Sequence, residues 1–291
     1  MNQNLTDINE IKLLLARHGF HFSKSMGQNF LTTSWVPERI ADSAGIDSGT
    51  GVLEVGPGIG CLTAQLSARA GKVLAVELDK ALKPILAETL EGRENVEILF
   101  GDVLKQDLPA LVQAHFQGLR PVVCANLPYN VTSPLLTAFI KAGCFETLTV
   151  MVQREVAKRI CAGAGTADYG AFGLFVQWHM EPEILFEVPP DCFVPRPKVT
   201  SAVIHLKRRS APPVSVQDEA LLFKIIRAAF NMRRKTLVNA LSSGLGGITK
   251  EQAENVVVKC GFDPKIRGEA VEIGGFAKIA DEIGKFLNAD L

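Results

Sequence analysis

The sequence predicts an α/β protein in which a mostly parallel, doubly wound sheet is followed by a small all-helical domain. Three observations predict it. Five short apolar runs between residues 51 and 152 alternate with segments of helical periodicity, which is the pattern of βαβ units. A glycine-rich turn follows the first run, and beyond residue 213 the periodicity is only helical.

The predicted strands are short, apolar and bounded by glycine, proline or polar residues. They cover residues 51–55, 72–77, 96–100, 122–125, 147–152, 183–188 and 201–207. The last two flank a proline-containing stretch instead of a helix. This β-rich end predicts one antiparallel strand at an edge of the sheet.

Helices are predicted where apolar residues recur at helical spacing after a capping residue or proline. In the first part of the chain they cover residues 8–17, 37–44, 62–69, 80–90, 109–116, 133–141 and 154–162. Residues 208–213, Arg-Arg-Ser-Ala-Pro-Pro, have the composition of a linker. We therefore predict domains at 1–207 and 208–291, the second with helices at 217–231, 233–242, 250–260 and 276–287.

Composition narrows the class of protein. No apolar run approaches the roughly 18 residues of a membrane span, and the polar N-terminus does not resemble a secretory signal. The six cysteines are scattered, without C-x-x-C pairs or nearby histidine clusters, which argues against a metal site or disulfides. We expect a cytoplasmic protein with reduced thiols and no membrane association.

Charge is distributed unevenly along a chain whose net charge is zero. Residues 193–240 contain ten Lys and Arg against two Asp and Glu, whereas residues 1–150 contain twelve against fifteen. A basic block of this size is typical of a surface that binds a phosphate-bearing partner. A solvated face whose acids lie elsewhere in the fold is the alternative.

The glycine-rich turn indicates a nucleotide-like ligand. Gly56, Gly58 and Gly60 follow the first strand with spacing G-x-G-x-G, not the G-x-G-x-x-G of dinucleotide sites. Glu54 precedes the turn, where a carboxylate would repel a pyrophosphate but could bind an ammonium group. This pattern favours S-adenosylmethionine, whose amino-acid part is zwitterionic, over a dinucleotide.

Acids also end the next two strands. Glu77 could accept hydrogen bonds from both ribose hydroxyls, and Asp102 could accept from an adenine amino group. Ordinary surface carboxylates at strand ends are the alternative. Three acids at strand ends beside a glycine-rich turn favour the ligand site.

The fourth strand ends in Asn126-Leu127-Pro128-Tyr129. The Asn126 side-chain oxygen and the Leu127 carbonyl could hold an exocyclic amine, Pro128 would fix the backbone, and Tyr129 would stack on a planar base. A turn with a packed aromatic is the alternative. Phe193 could stack on the other face of the base, or be a core aromatic between prolines.

These motifs together resemble the ribosomal RNA adenine-N6 dimethyltransferase family. The long matches are K-x-x-G-Q-N-F-L at 24–31, L-E-x-G-P-G-x-G at 53–60, N-L-P-Y-N-x-x-x-P at 126–134 and A-F-x-x-R-R-K-T-L ending at Leu237. The resemblance covers nearly the whole chain in order. It implies a Rossmann-like, S-adenosylmethionine-dependent methyltransferase with a seven-stranded sheet, and a C-terminal RNA-recognition domain.

The resemblance also implies roles for particular residues. Those expected to act on the base are Asn126, Leu127, Pro128, Tyr129 and Phe193. Those expected to bind the methyl donor are Asn29, Leu31, Gly56, Gly58, Glu77, Leu78, Asp102, Val103 and Asn126. Those expected to meet RNA phosphates are Lys24, Arg154, Arg196, Lys198, Arg227, Arg233, Arg234 and Lys235.

The implied activity is dimethylation of N6 on two adjacent adenosines in a loop near the 3′ end of 16S rRNA, within the immature 30S subunit, by a monomer. Alternatives are a 23S rRNA methyltransferase, an assembly checkpoint with secondary catalysis, and a small-molecule methyltransferase. The sequence departs from the family pattern at Ala171, usually Arg, and at Thr200, usually Asp. These departures bear on RNA contacts or local packing.

Overall fold

The computed structural model describes residues 4–22 and 27–289. The chain divides into two compact units. Unit 1 contains the residues up to Ala157 together with Glu181–Arg208, and unit 2 contains Lys158–Met180 together with the residues from Arg209 onward. The prediction of an uninterrupted first domain over 1–207 is therefore wrong for residues 158–180. Tyr169, Leu174 and Trp178 of this segment are buried with the C-terminal helices.

The strands of unit 1 form a seven-stranded sheet and a two-stranded sheet. They are β1 (Phe30–Leu31), β2 (Thr50–Val55), β3 (Lys72–Glu77), β4 (Val96–Phe100), β5 (Arg120–Asn126), β6 (Thr147–Gln153), β7 (Met180–Val188), β8 (Phe193–Val194) and β9 (Ser201–Arg208).

The order of the large sheet is β4-β3-β2-β5-β6-β9-β7. Strands β2 to β6 pair in parallel, and β9 is antiparallel to β6, with Gln153 opposite Ser201. The predicted mostly parallel sheet with an antiparallel strand is confirmed. The antiparallel strand was expected at an edge of the sheet. Strand β9 instead lies between β6 and β7, and β7 forms the edge.

Helices connect these strands. They are α1 (Ile8–Arg17), α2 (Trp35–Ser43), α3 (Cys61–Ser67), α4 (Lys83–Thr89), α5 (Leu108–His115), α6 (Thr132–Ala142) and α7 (Arg154–Cys161), which crosses from unit 1 into unit 2. Side chains on α2 and α3 pack against Val52, Val73 and Val122 of the sheet. The alternate residues Leu53 and Val123 are also buried, so both faces of the central strands are covered.

The two-stranded sheet was not predicted. Strands β1 and β8 pair antiparallel, with Leu31 opposite Phe193 and Phe30 opposite Val194. Each strand has two residues, which is too short for a period-2 pattern to be visible in the sequence. Its consequence is that the loop before α2 is held beside the proline-containing segment after β7.

Unit 2 is helical, as its periodicity predicts. Its helices after α7 are α8 (Ala171–His179), α9 (Glu219–Asn231), α10 (Leu237–Gly244), α11 (Lys250–Lys259) and α12 (Ile273–Ala289). The helix predicted at 233–242 begins instead at Leu237, because the Thr236 side chain accepts the N–H of Asn239 as an N-cap. The basic residues before it therefore lie in a turn. No helix in the described part of the chain is long and apolar enough to cross a membrane.

Candidate active site

A cavity of about 230 Å³ opens at the carboxyl ends of β2, β3, β4 and β5 in unit 1. Parallel strands bring their carboxyl ends to one edge of a sheet, which is where doubly wound folds bind ligands. The cavity lining includes twelve of the predicted site residues: Asn29, Leu31, Gly56, Gly58, Glu77, Leu78, Asp102, Val103, Asn126, Leu127, Pro128 and Tyr129. It also includes Glu54.

The glycine-rich turn approaches the cavity through its backbone. Gly56 and Gly58 have φ values of +69° and +60°, a region that residues with a Cβ rarely adopt. A Cβ on Gly58 would also lie 3.1 Å from the ring of Phe30 in β1. The positive φ of the turn and the close approach of Phe30 both favour glycine at this position.

Glu77, at the end of β3, links the glycine-rich turn after β2 to the turn after β3. Its Oε1 accepts the N–H of Asp79 at 2.7 Å, and its Oε2 accepts the N–H of Gly58 at 3.4 Å. The residue is only 6% exposed, and burial raises the pKa of its carboxyl despite these hydrogen bonds. The carboxylate is thereby fixed in orientation at the cavity wall.

Glu54 lies deeper, at 1% exposure. Burial, with the neighbouring Glu77 acting in the same direction, raises its pKa to about 8. Its Oε2 has no hydrogen-bond partner among the described residues. A buried carboxyl oxygen without a hydrogen-bond partner is costly, so this oxygen is placed to bind a cationic or hydrogen-bonding ligand.

The wall formed after β3 and β4 is mainly apolar. Leu78 is 55% exposed and Leu104 is 42% exposed, so both aliphatic side chains are accessible at the cavity. Asp102 is fixed by its own turn, where its Oδ1 accepts the N–H of Leu104 at 3.0 Å. This wall can take a flat ring between apolar side chains, with a carboxylate at its edge.

The Asn-Leu-Pro-Tyr turn forms the opposite wall. The Leu127 N–H donates to the Met151 carbonyl at 3.1 Å, and the Asn126 Nδ2 donates to the Asn29 carbonyl at 3.4 Å. The Tyr129 hydroxyl is 2.5 Å from Oγ of Ser201. Because Nδ2 is engaged, Oδ1 of Asn126 is the atom oriented to accept from a ligand.

The loop that carries Asn29 and Leu31 closes the cavity over the glycine-rich turn. Gln28 donates from Nε2 to Oδ2 of Asp79 at 2.7 Å, and Asn29 donates from Nδ2 to the Gly27 carbonyl at 3.1 Å. The sequence reasoning did not select Gln28, Phe30, Leu104 or Asn130, which also line the cavity. Gln28 and Phe30 lie within the K-x-x-G-Q-N-F-L motif, which was the available signal.

Phe193 is not among the residues that line the cavity. It is 5% exposed in β8 and packs with Leu31, Met151 and Val203 in one apolar cluster. Its partner across the small sheet is Leu31, which does line the cavity. Phe193 is thus buried in the core, and Leu31 is the cavity-lining residue paired with it. The stacking role of Phe193 stays a prediction.

The predicted RNA-contact residues differ in their exposure and in their ion pairs. In unit 1, Arg154 pairs with Glu187 at 3.3 Å, Arg196 pairs with Asp191 at 2.6 Å, and Lys198 is exposed. Lys24 lies outside the described residues.

In unit 2, Arg227, Arg234 and Lys235 are exposed. Arg233 instead bonds Glu269 at 2.7 Å and the Ala167 carbonyl at 2.6 Å. Its guanidinium therefore has a structural role within unit 2.

The fold and the cavity together define a methyltransferase of the doubly wound α/β class. The acids at three strand ends, the glycine-rich turn and the Asn-Leu-Pro-Tyr turn all meet in one site. A family model described as ribosomal RNA adenine dimethylase matches residues 19–283. The chain belongs to this family of ribosomal RNA methyltransferases.

Named relatives and solved structures agree with this assignment. A ribosomal RNA small subunit methyltransferase A from Geobacillus thermodenitrificans is 44% identical over 97% of this chain and 98% of its own length. A protein of the same name from Alkaliphilus oremlandii is 45% identical over 95% of this chain and 96% of its own.

Two crystal structures have a similar fold. The 23S rRNA methyltransferase ErmE matches with a TM-score of 0.66 and 25% identity, over 88% of this chain and 99% of its own. A dimethyladenosine transferase from Plasmodium falciparum matches with a TM-score of 0.72 and 23% identity, over 88% of this chain and 97% of its own.

Proposed function

We propose that this protein uses S-adenosylmethionine to dimethylate N6 of two adjacent adenosines in a loop near the 3′ end of 16S rRNA, within immature 30S subunits. The observation that carries the proposal is the single cavity that joins Glu54 and Glu77 to the turn at Asn126 and Tyr129. The two small subunit methyltransferase A relatives, at 44% and 45% identity, support the choice of RNA.

The cavity residues fit the methyl donor. The unpartnered Oε2 of Glu54 suits the ammonium group of the methionine part, and the fixed carboxylate of Glu77 suits the ribose hydroxyls. Leu78 and Val103 would flank the adenine ring, with Asp102 at its amino group. Asn29 and Leu31 would close the site over the glycine-rich turn. When bound, S-adenosylmethionine supplies a methyl carbon made electrophilic by its sulfonium.

The target amine needs activation because its lone pair is delocalised into the purine. Oδ1 of Asn126 and the Leu127 carbonyl accept its two N–H bonds and favour a pyramidal nitrogen with its lone pair directed at the methyl carbon. Bound S-adenosylmethionine would supply the methyl group to this nitrogen, and the amine, which becomes acidic as it is alkylated, would release its proton to water. Tyr129 stacks on the base, and Phe193 is our candidate for its other face.

The basic residues would bring the RNA to this cavity. Arg154, Arg196 and Lys198 of unit 1 and Arg227, Arg234 and Lys235 of unit 2 are suited to phosphates of folded RNA. Target adenines must leave their stack to be methylated, so an accessible loop is the expected substrate. The protein would act in the cytoplasm, as a monomer, during small-subunit biogenesis.

The test is incubation with labelled S-adenosylmethionine and immature small subunits, followed by nucleoside analysis. We expect N6,N6-dimethyladenosine at two neighbouring positions of 16S rRNA. The fold similarity to ErmE makes 23S rRNA the second candidate, so primer extension should map methylation on both RNAs. Product on 23S rRNA alone, or no dimethyladenosine on either RNA, would overturn the proposal.

A further inference from the structure

Two motifs that are far apart in the sequence meet at the wall of the cavity. The hydroxyl of Tyr129 is 2.5 Å from Oγ of Ser201, a residue 72 positions further along the chain. Ser201 is the first residue of β9 and is completely buried, whereas Tyr129 lines the cavity. The buried Ser201 hydroxyl is therefore hydrogen-bonded to the phenol of Tyr129, the ring that we propose stacks on the target base.

The position of Ser201 is set by the central sheet. It lies opposite Gln153 in the antiparallel pair of β6 and β9, and the Arg154 N–H donates to the neighbouring Thr200 carbonyl at 3.0 Å. Strand β6 also holds the other end of the same turn, because the Met151 carbonyl accepts the Leu127 N–H. The turn is thus attached to β6 at Leu127 and to β9 at Tyr129.

The second attachment matters because a tyrosine ring alone is poorly restrained. Rotation about the bond between Cβ and the ring has a broad energy minimum, so packing by itself allows the plane to tilt. A hydrogen bond at the far end of the ring fixes both its tilt and its depth. Burial raises the pKa of Tyr129, so the phenol keeps its proton and this bond at physiological pH.

We propose that Ser201 is a positioning residue for methyl transfer: its hydroxyl orients Tyr129 so that a stacked adenine presents N6 in line with the methyl donor. This inference rests on the proposed function, since it assigns the stacking role to Tyr129. It explains why a serine at the start of β9 that does not itself line the cavity belongs to the site. Methyl transfer is sensitive to small errors of alignment.

The test compares Ser201→Ala, Tyr129→Phe and the double variant, using labelled S-adenosylmethionine and immature small subunits. Each single variant removes the same hydrogen bond and keeps an aromatic ring, so we expect kcat to fall about tenfold in both. KM for S-adenosylmethionine should stay within about twofold, because the bond lies outside the donor site. The double variant should be no slower than either single variant, since the bond can be lost only once.

Thr149→Val is the matched control. Thr149 is also buried on β6, and its hydroxyl bonds Nδ1 of His205 on β9 at 2.9 Å, which places a comparable bond in the same strand pair. Urea unfolding should show a similar loss of stability for Thr149→Val and Ser201→Ala, but only the latter should lower kcat. Ser201→Thr, which keeps a hydroxyl, should recover most of the lost rate.

Several results would overturn the inference. They are an unchanged kcat in Tyr129→Phe, additive losses in the double variant, or an equal loss of kcat in Thr149→Val. Tyr129→Phe keeps the test decisive if Ser201→Ala does not fold. Failure of the parent protein to form N6,N6-dimethyladenosine would instead reject the proposed function, so the two failures are distinguishable.

Discussion

The cavity of unit 1 and the basic surface of unit 2 are built in opposite ways. The cavity acids Glu54 and Glu77 are nearly fully buried, and backbone N–H groups fix the Glu77 carboxylate. The basic residues Arg227, Arg234 and Lys235 are exposed. In the cavity, the positions and burial of individual side chains determine the chemistry. On the basic surface, the summed positive charge determines which anionic partners are attracted.

This difference predicts how each region responds to substitution. A change in the cavity alters a desolvated group whose geometry cannot readjust, so single substitutions should have large effects. A change on an exposed basic surface removes one of several screened charges, so its effect should be small and depend on salt.

Glu77→Ala should have the largest effect. It removes a carboxylate that we propose binds both ribose hydroxyls and that holds the N–H groups of Gly58 and Asp79. Two charge-assisted hydrogen bonds support a loss of about 100-fold or more in affinity for S-adenosylmethionine. Isothermal titration calorimetry measures this directly, and Glu77→Gln, which keeps one acceptor oxygen, should lose less.

Glu97→Gln provides the comparison for this prediction. Glu97 lies on the adjacent strand β4 but is not among the residues that line the cavity, and its carboxylate pairs with Lys72 at 2.8 Å. Donor affinity should be unchanged. If Glu77→Ala bound the donor as tightly as Glu97→Gln, the ribose assignment would be wrong. If cells carrying Glu77→Ala assembled small subunits normally but did not methylate their rRNA, catalysis and a role as an assembly checkpoint would be separate functions.

Much of the cavity could be predicted because its residues follow strand ends. Apolar runs define parallel strands, and parallel strands bring Glu77, Asp102 and Asn126 to one edge of the sheet regardless of loop details. The β-rich end of the domain predicted an antiparallel strand, but not that β9 would lie between β6 and β7. Pairing order among late strands depends on long-range contacts that have no local sequence signal.

Other features depended on contacts that no local pattern encodes. The pair of Leu31 and Phe193 joins two residues far apart in sequence, and it places the buried Phe193 next to a residue that lines the cavity. Residues 158–180 pack with unit 2 because Tyr169 and Trp178 are buried there, although sequence order suggested the first domain. Arg233 resembles its basic neighbours in sequence, yet it is bonded to Glu269.

The stability of the folded protein should depend on pH through Glu54. Its pKa of about 8 in the folded protein lies above its ordinary value of 4.5, so the folded state retains a proton that the unfolded state has released. Its contribution to stability is therefore complete below about pH 4.5 and is lost as the pH rises through about 8. Urea unfolding from pH 5 to 9 should show a weaker decline in Glu54→Gln.

Donor binding should show the opposite dependence on pH. An ionised Glu54 is needed to bind the ammonium group, so donor affinity of the parent protein should fall about tenfold for each pH unit below about 8. In Glu54→Gln the affinity should be lower at pH 8 and nearly independent of pH. A parallel decline in both proteins would show that Glu54 does not meet the ammonium group, and Glu97→Gln should follow the parent.

The smallest effects are expected on the basic surface, where Arg234 and Lys235 can be compared with their neighbour Arg233. Arg234→Ala and Lys235→Ala should each reduce the slope of log affinity against log salt by about 1 for a 16S rRNA fragment, with unchanged stability and donor affinity. Arg233→Ala should instead lower the free energy of unfolding by about 1 kcal/mol, because its partly exposed guanidinium bonds Glu269 and the Ala167 carbonyl.

Nitrocellulose-filter binding between about 50 and 200 mM salt, together with urea unfolding, separates these outcomes. An equal reduction of the salt slope in all three variants would mean that Arg233 leaves Glu269 to contact phosphate. Unchanged slopes in Arg234→Ala and Lys235→Ala would remove this turn from the RNA-binding surface. Arg227 and the basic residues of unit 1 would then have to account for the salt dependence of binding.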